Sequence, residues 1–298
     1  MKIEIIADTV DPYLGNRITT FSLCYPRYIH AQVLTHRVFS RNAQSSRAIP
    51  VKRMIKYVRE NMVIPSSFAK NKKGMQPGEI MSTEDQEKAR FLWLEAAENA
   101  LKSAELMEAL GVHKQWVNRL LEPYSYINVV ITATDWDNYF DLRAHEDAQD
   151  EIDLLAKGMR TAMKNSHPSI KKVHLPYIVF NDKDANGISF STADALSPFE
   201  LELSMRMASV GKCARVSYVT FDSSRNDYLK DIKLCIDLFK SGHWSPFEHV
   251  AISGEARYYF NLYGWENFRH LLSNTKNGLQ LMEDCYAKVC KTFTSGNS

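Results

Sequence analysis

The sequence predicts an α+β fold in which an antiparallel sheet packs with long helices, and three observations carry that expectation. Residues 3–7 and 18–25 alternate apolar and polar side chains on either side of a turn at Asp11-Pro12-Tyr13-Leu14-Gly15-Asn16, as two neighbouring strands do. Thr83 with Gln86 three residues on has capping-box spacing, and the stretch it opens runs as one long helix to Leu110, where Gly111 stops it. Residues 124–134, YSYINVVITAT, are rich in the β-branched and aromatic residues that fit a pleated surface.

The remaining elements follow in chain order. From Pro26, RYIHAQVLTHR has helical spacing and leads into a basic loop at residues 35–53. Residues 66–81, SSFAKNKKGMQPGEIM, are polar and contain glycine, which makes them a surface excursion. A second helix is expected over 113–121, ending before Pro123, and a third from about His145 to Lys164, with Glu146 and Asp147 in its first turn where the helix dipole favours acids. Beyond His167-Pro168, a strand-like VHLPYIVF and a loop through Ala195 form a junction between two lobes, 1–170 and 171–298, of one domain spanning 1–298. The last third, 198–290, repeats helix, strand and helix. Within it Ser245 reads as an N-cap, with Pro246 and Glu248 at the first and third helical positions, leaving N–H groups for a phosphate.

Bulk composition narrows the function classes. At 298 residues the chain can bury a substantial core, and its formal net charge of +2 gives no global grip on nucleic acid, so any anion site is local. Five scattered cysteines, Cys24, Cys213, Cys235, Cys285 and Cys290, lack zinc-ligand spacing; they point to a reducing compartment without a metal cluster. The opening MKIEIIADTVDP is strand-like rather than a signal peptide, and no segment has the apolar length to span a bilayer. A cytoplasmic protein without membrane or metal partners is the expectation.

Chemistry concentrates in two places. In the basic loop, Arg37, Arg41, Arg47, Lys52, Arg53 and His36 are interspersed with Ser40, Asn42, Gln44, Ser45 and Ser46, a donor set suited to a phosphorylated ligand. A solvated basic loop and a nucleic-acid-binding arm have the same composition; interleaved Val38, Phe39, Ala48 and Ile49, with Pro50 at the end, favour a shaped pocket. At residues 242–249, GHWSPFEH places His243, Ser245, Glu248 and His249 where they can converge on one ligand.

Together these segments resemble the flavin-dependent thymidylate synthases, the ThyX family. Its Arg-His-Arg, seven residues, Ser signature is similar to Thr35-His36-Arg37 followed by Ser45, Ser46 and Arg47, with Gln32 and Asn42 in matching places. Its Arg-x-x-x-Pro looks like Arg119 through Pro123, and its Leu-Arg-Ala-Asp-Ser-His-Ala-Gln helix start looks like Leu142 through Gln149. Its Ala-Arg-Val-Ser and Gly-His-x-Ser/Thr-Pro-Phe-Glu-His segments resemble Ala214–Ser217 and Gly242–His249. The latter two precede the signature in the family and follow it here, an order resembling a circular permutation, and Trp265 to His270 reads as a degenerate, packing copy of the signature region. The chain departs from the family at Thr35 (Arg), Ala43 or Gln44 (Glu), Ser46 (Gly) and Asp147 (His); one lost Arg contact is worth about 1.5–3 kcal/mol.

The resemblance implies reductive methylation of dUMP to dTMP, with carbon from methylenetetrahydrofolate, hydride from FAD and reduction of the flavin by NADPH, in a homotetramer. By the same resemblance Arg47 and Arg143 are the catalytic arginines, and Gln32, Ser45, Ser46, Arg47, Arg119 and Arg143 hold the pyrimidine nucleoside monophosphate. His36, Arg37, Asn42, Asn138, Asp147, Ser245 and Glu248 hold FAD, and His243 lies in the flavin and folate neighbourhood. Ser45 has no evident base beside it, so it reads as a ligand rather than a nucleophile. Hydroxymethylation, or use of another pyrimidine nucleotide such as dCMP, is the neighbouring expectation; a non-catalytic nucleic-acid binder is the alternative of another class.

Overall fold

The computed structural model describes residues 1–74, 76, 78–178, 196–216 and 227–295. Ser217 and the expected junction loop over 179–195 therefore lie outside the described residues, as do the last residues of VHLPYIVF.

The chain opens with the expected hairpin, β1 (Lys2–Val10) antiparallel to β2 (Arg17–Pro26). Its turn is built by Asp11, whose carboxylate accepts from Tyr13 N (3.2 Å) and Leu14 N (2.7 Å), while Gly15 takes a φ of +72° that other residues adopt only under strain. One 3-10 turn (Arg27–Ile29) and the short helix α1 (His30–Leu34) lead into the basic segment. That segment is not one loop. Residues Ser40–Ala43 form β3 on the edge of the sheet, Ser46–Ala48 form a 3-10 turn, and Pro50 precedes helix α2 (Val51–Glu60), which takes up Lys52 and Arg53. The helix forms because Met54, Ile55 and Val58 make one buried stripe.

Helix α3 (Thr83–Ala109) and helix α4 (Lys114–Leu121) agree with expectation, but Ser82 rather than Thr83 caps α3, accepting from Asp85 N at 3.2 Å. Gln86 turns away from the cap: its Oε1 accepts from Phe68 N (3.1 Å) and pins the 66–81 excursion. After β4 (Tyr126–Ala133) comes a helix the sequence did not announce, α5 (Asp137–Arg143), followed by α6 (Asp150–Asn165). The acids of the first turn of α6 are thus Asp150, Glu151 and Asp153. Glu146 and Asp147 stand in the connection, so Leu142–Gln149 is a helix end and turn instead of a helix start. Short strands β5 (Ser169–Ile170) and β6 (Val173–His174) follow. Among the described residues the last third runs α7 (Pro198–Ala214), α8 (Tyr228–Lys240), a 3-10 turn (Ser245–His249), β7 (Ala251–Tyr259), β8 (Leu262–Asn267), α9 (Phe268–Asn274) and α10 (Gly278–Ser295), with two helices on each side of the β7–β8 hairpin. A Cβ on Gly211 would strike Asp231 O, so only glycine allows α7 to approach α8 this closely.

The strands form a five-stranded sheet ordered β3-β4-β2-β1-β5 and a three-stranded sheet ordered β6-β7-β8. Phe21 pairs in register with Ile131 and Leu23 with Val129, and their shared face packs on Ile152, Leu155 and Met159 of α6. The opposite face carries hydroxyls. There Thr20 Oγ1 meets Thr132 Oγ1 (2.6 Å) and His174 Nε2 (2.7 Å), Thr9 Oγ1 meets His174 Nδ1 (2.8 Å), and Thr132 Oγ1 meets His249 Nδ1 (2.8 Å). This buried chain fastens the two sheets and the Ser245–His249 turn together.

Burial pushes His174 and His249 down to about 3, so both rings are neutral in the folded protein. The unfolded chain protonates them near 6.5, so the stabilisation from keeping them neutral is complete above that pH and is lost as pH falls toward 3. We expect the urea unfolding free energy to drop by roughly 2 kcal/mol per pH unit between pH 6 and 5. His249→Gln should remove about half of that slope; an unaltered slope would refute the assignment.

Candidate functional site

The expected site residues gather in three clusters. The first lies where α1 unwinds. Thr35 N and His36 N donate to Gln32 O and Val33 O, and Phe39, 2% exposed, anchors the turn against Trp136 with ring centroids 4.8 Å apart. His36 lies edge-on to Tyr139 (4.9 Å). From the end of α5, Arg143 donates through Nε to His36 Nε2 and through Nη2 to Thr35 Oγ1, both at 3.1 Å. Burial first, then the Arg143 charge, lowers the His36 pKa against an opposing hydrogen bond from Asn138, so His36 accepts as a neutral ring. Gln32 Nε2 donates to Gln149 Oε1 (2.7 Å), and Gln149 Nε2 donates to Glu151 Oε2 (3.0 Å). Arg37 and Asn138 are exposed at this rim. Asp147 is exposed too, and it folds back on its own turn, its N–H donating to His145 Nδ1 at 3.2 Å.

The second cluster surrounds the Ser46–Ala48 turn. Ser46 Oγ donates to Glu122 Oε1 (2.6 Å), and Arg27 and Arg119 stand 3.6 and 3.9 Å from the same carboxylate. Arg27 also donates to Gln44 O (3.2 Å), and burial lowers its pKa. Asn118, fully buried, donates to Ser46 O and Ile49 O, each at 2.8 Å, and so fixes the turn that presents Ser45 and Arg47. Arg47 and Arg119 remain exposed, and a cleft of about 420 Å³, open mouth included, is lined by Arg27, Gln44, Arg53 and Tyr57. Sequence reasoning missed Arg27, Asn118 and Glu122. Only Asn118 carried a signal, an amide between Val117 and Leu121 on the buried face of α4.

The third cluster centres on Asn42. Its Nδ2 donates to Cys213 O (2.9 Å), and its Oδ1 accepts from Ser245 Oγ at 3.3 Å. The hydroxyl of Ser245 is therefore spent across the fold, and the Ser245–His249 turn has no side-chain cap; five residues of 3-10 turn make no helix N-terminal phosphate site. Nor do the four polar residues of that turn converge. His249 is buried on Thr132, Glu248 pairs with Arg269 Nη1 (2.5 Å), and exposed His243 meets Ser241 Oγ (2.9 Å). Arg215, beside Val216, pairs with buried Asp231 at 2.5 Å.

The model of the thymidylate synthase complementing protein family (Thy1) matches residues 17–169, just over half of the chain. The chain belongs to this family. As a family these are nucleotide methyltransferases that use flavin and folate. Two solved structures are similar in part. One is the UMP/dUMP methylase PolB from Streptomyces cacaoi bound with 5-Br dUMP, at 20% identity, covering 49% of this chain and 66% of that one with a TM-score of 0.41. The other is PolB bound with 5-Br UMP, at 17% identity, covering 54% and 88% with a TM-score of 0.44. The match thus spans just under two thirds of the first PolB chain. No curated protein sequence matches the chain.

The donor set fits a dinucleotide flavin. Arg37 offers an exposed cation and Asn138 an exposed amide, and Glu248, an acid of the expected set, is neutralised by Arg269. Asp147 is the exception, an anion turned to His145. Because Asn42 ties β3 to both α7 and the Ser245–His249 turn, Asn42→Ala should cost about 2 kcal/mol of stability. Amide hydrogen exchange should also quicken over 244–250; unchanged protection there would sink the idea that Asn42 seats the turn.

Proposed function

We propose that this protein catalyses reductive methylation of dUMP to dTMP, with methylenetetrahydrofolate as carbon donor, FAD as bound cofactor and NADPH as reductant. The observation that carries the reading is the amide of Asn42, on which three segments resembling separate ThyX motifs meet although 171 and 203 residues apart in sequence. A nucleic-acid arm has no use for such a junction.

In this reading Ser45, Ser46, Arg47 and Arg119 take the nucleotide phosphate, with Asn118 and Glu122 holding the turn that presents them. Arg143 faces the pyrimidine, where a cation stabilises charge developing on the ring carbonyls, and Gln32 lines the same wall. Arg37, Asn138 and His36 hold FAD, Asn42 and Ser245 seat the Ser245–His249 turn through their mutual hydrogen bond, and His243 lies toward folate. Bound FAD, once reduced by NADPH, would supply the hydride that completes the methyl group. Among the described residues the hydrogen bonds around Arg143 and those around Ser46 share no member, which supports a nucleotide site completed by another copy of the chain, as in a homotetramer. No helix among the described residues is long and apolar enough to cross a membrane.

Purified protein given FAD should gain flavin absorbance, and dUMP incubated with labelled methylenetetrahydrofolate and NADPH should gain the mass of CH2, a methyl group in place of the ring hydrogen. Arg47→Gln and Arg143→Gln should each lower kcat/KM by roughly 10–100-fold. A colourless preparation overturns the flavin reading. A hydroxymethyl mass, or turnover of dCMP alone, transfers the assignment to the neighbouring reaction, and steeply salt-dependent RNA or DNA affinity without flavin would replace it.

A further inference from the structure

We propose that Thr35 is a positioning residue that fixes the guanidinium of Arg143 without neutralising it, so that the remaining N–H fork is aimed at a two-acceptor edge of the nucleotide. The proposal rests on the reading of Arg143 as a nucleotide ligand.

The argument begins with proton counting. Thr35 has one hydroxyl hydrogen, and it goes to Gln32 O at 2.6 Å. The lone pairs left over accept from Arg143 Nη2, while His36 Nε2 accepts from Arg143 Nε. A guanidinium is planar and carries five N–H donors in fixed directions, so two bonds from its Nε and Nη2 edge set both the plane and its rotation. Two hydrogens on Nη1 and one on Nη2 are then left pointing away, an end-on pair suited to two adjacent oxygen or nitrogen acceptors.

The character of the partners matters as much as their geometry. Several arginines of this protein are set against carboxylates: Arg17 with Asp8, Arg27 and Arg119 with Glu122, Arg59 with Glu105, Arg215 with Asp231 and Arg269 with Glu248. Among the described residues the hydrogen-bond acceptors of Arg143 are a hydroxyl and a neutral imidazole. It is held in place with its whole charge available, as an anion or an electron-rich ring requires. Thr35 is exposed, so packing does not explain a β-branched residue there. An arginine at this position, as in the ThyX signature, has donors only and would repel Arg143 instead of holding it.

The test uses the full-length protein and the Thr35→Val, Thr35→Ser and Thr35→Arg variants. Two readouts are taken: dUMP affinity by calorimetry, and the titration of the His36 ring by NMR. The charges bearing on that ring are Arg143 and Arg41, and burial acts on it besides. Thr35→Val should weaken dUMP binding about tenfold, the loss of one charge-assisted bond, and should raise the His36 titration midpoint as Arg143 drifts away. Thr35→Ser, which keeps the hydroxyl, should stay within about twofold of the parent in affinity and keep its midpoint. Thr35→Arg should weaken dUMP at least as much as Thr35→Val. If Thr35→Val changes neither readout, or Thr35→Ser behaves like it, the positioning role is overturned. If the parent protein does not bind dUMP while Thr35→Val still moves the His36 midpoint, the positioning role stands and the nucleotide reading falls.

Discussion

Everything else in this fold is arranged around one buried hydrogen-bonded chain, from Thr9 through His174, Thr20 and Thr132 to His249. Its five side chains come from β1, β6, β2, β4 and the Ser245–His249 turn. Each hydroxyl and each neutral imidazole has one hydrogen to give, so the donors are coupled. If Thr20 donates to His174 and accepts from Thr132, His249 must donate to Thr132. A buried polar group left without a partner costs about 1–3 kcal/mol, so the Ser245–His249 turn has one seat on the sheet in which this chain closes. Among the described residues only the far nitrogen of His249, Nε2, ends the chain without a partner. Seating the turn on β4 in turn brings Ser245 to Asn42 on the neighbouring strand.

What was legible in the sequence is what local chemistry decides. The first hairpin declares itself through the Asp11 carboxylate and the left-handed Gly15, and β4 through its β-branched run. Helix α2 stayed hidden because Lys52 and Arg53 read as loop cations, although Met54, Ile55 and Val58 already had helical spacing. The start of α6 was misplaced because acids occur on both sides of Gln149; what decides is that Gln149 is extended and that α5 has ended at Arg143. In the site, residue types were readable and partners were not. Glu122 serves Ser46, Arg27 and Arg119, and Arg269 neutralises Glu248, through contacts that no local spacing encodes.

The order of the ThyX-like segments along the chain matters less than their meeting point. Asn42 reaches the carbonyl of Cys213, one residue before Ala214-Arg215-Val216, and the hydroxyl of Ser245, and neither bond depends on which segment is made first. The stretch resembling a second copy of the signature region has a different physical task. Trp265 is wholly buried, packing with Ile18, Ala251 and Leu262 and donating from Nε1 to Asn16 O (3.1 Å), while Arg269 is bound to Glu248 and His270 lies 2.6 Å from Glu266. Its polar groups are committed to the protein itself.

The same distinction separates the cations of the basic segment. Arg41 donates to Leu34 O (2.6 Å) and Arg27, just upstream, lies against Glu122; these ties shape the backbone of the turns. Arg37 and Arg47 project from those turns into solvent. With a net charge of only +2 over 298 residues, no long-range field draws an anion in, so affinity has to arise within a Debye length of these side chains. Rigid turns serve that purpose, because a cation on a fixed backbone loses less freedom on binding than one on a floppy arm. Phe39 under the first turn and Asn118 under the second supply that rigidity, so in the proposed reading an apolar ring and a buried amide serve the nucleotide site as much as the arginines do.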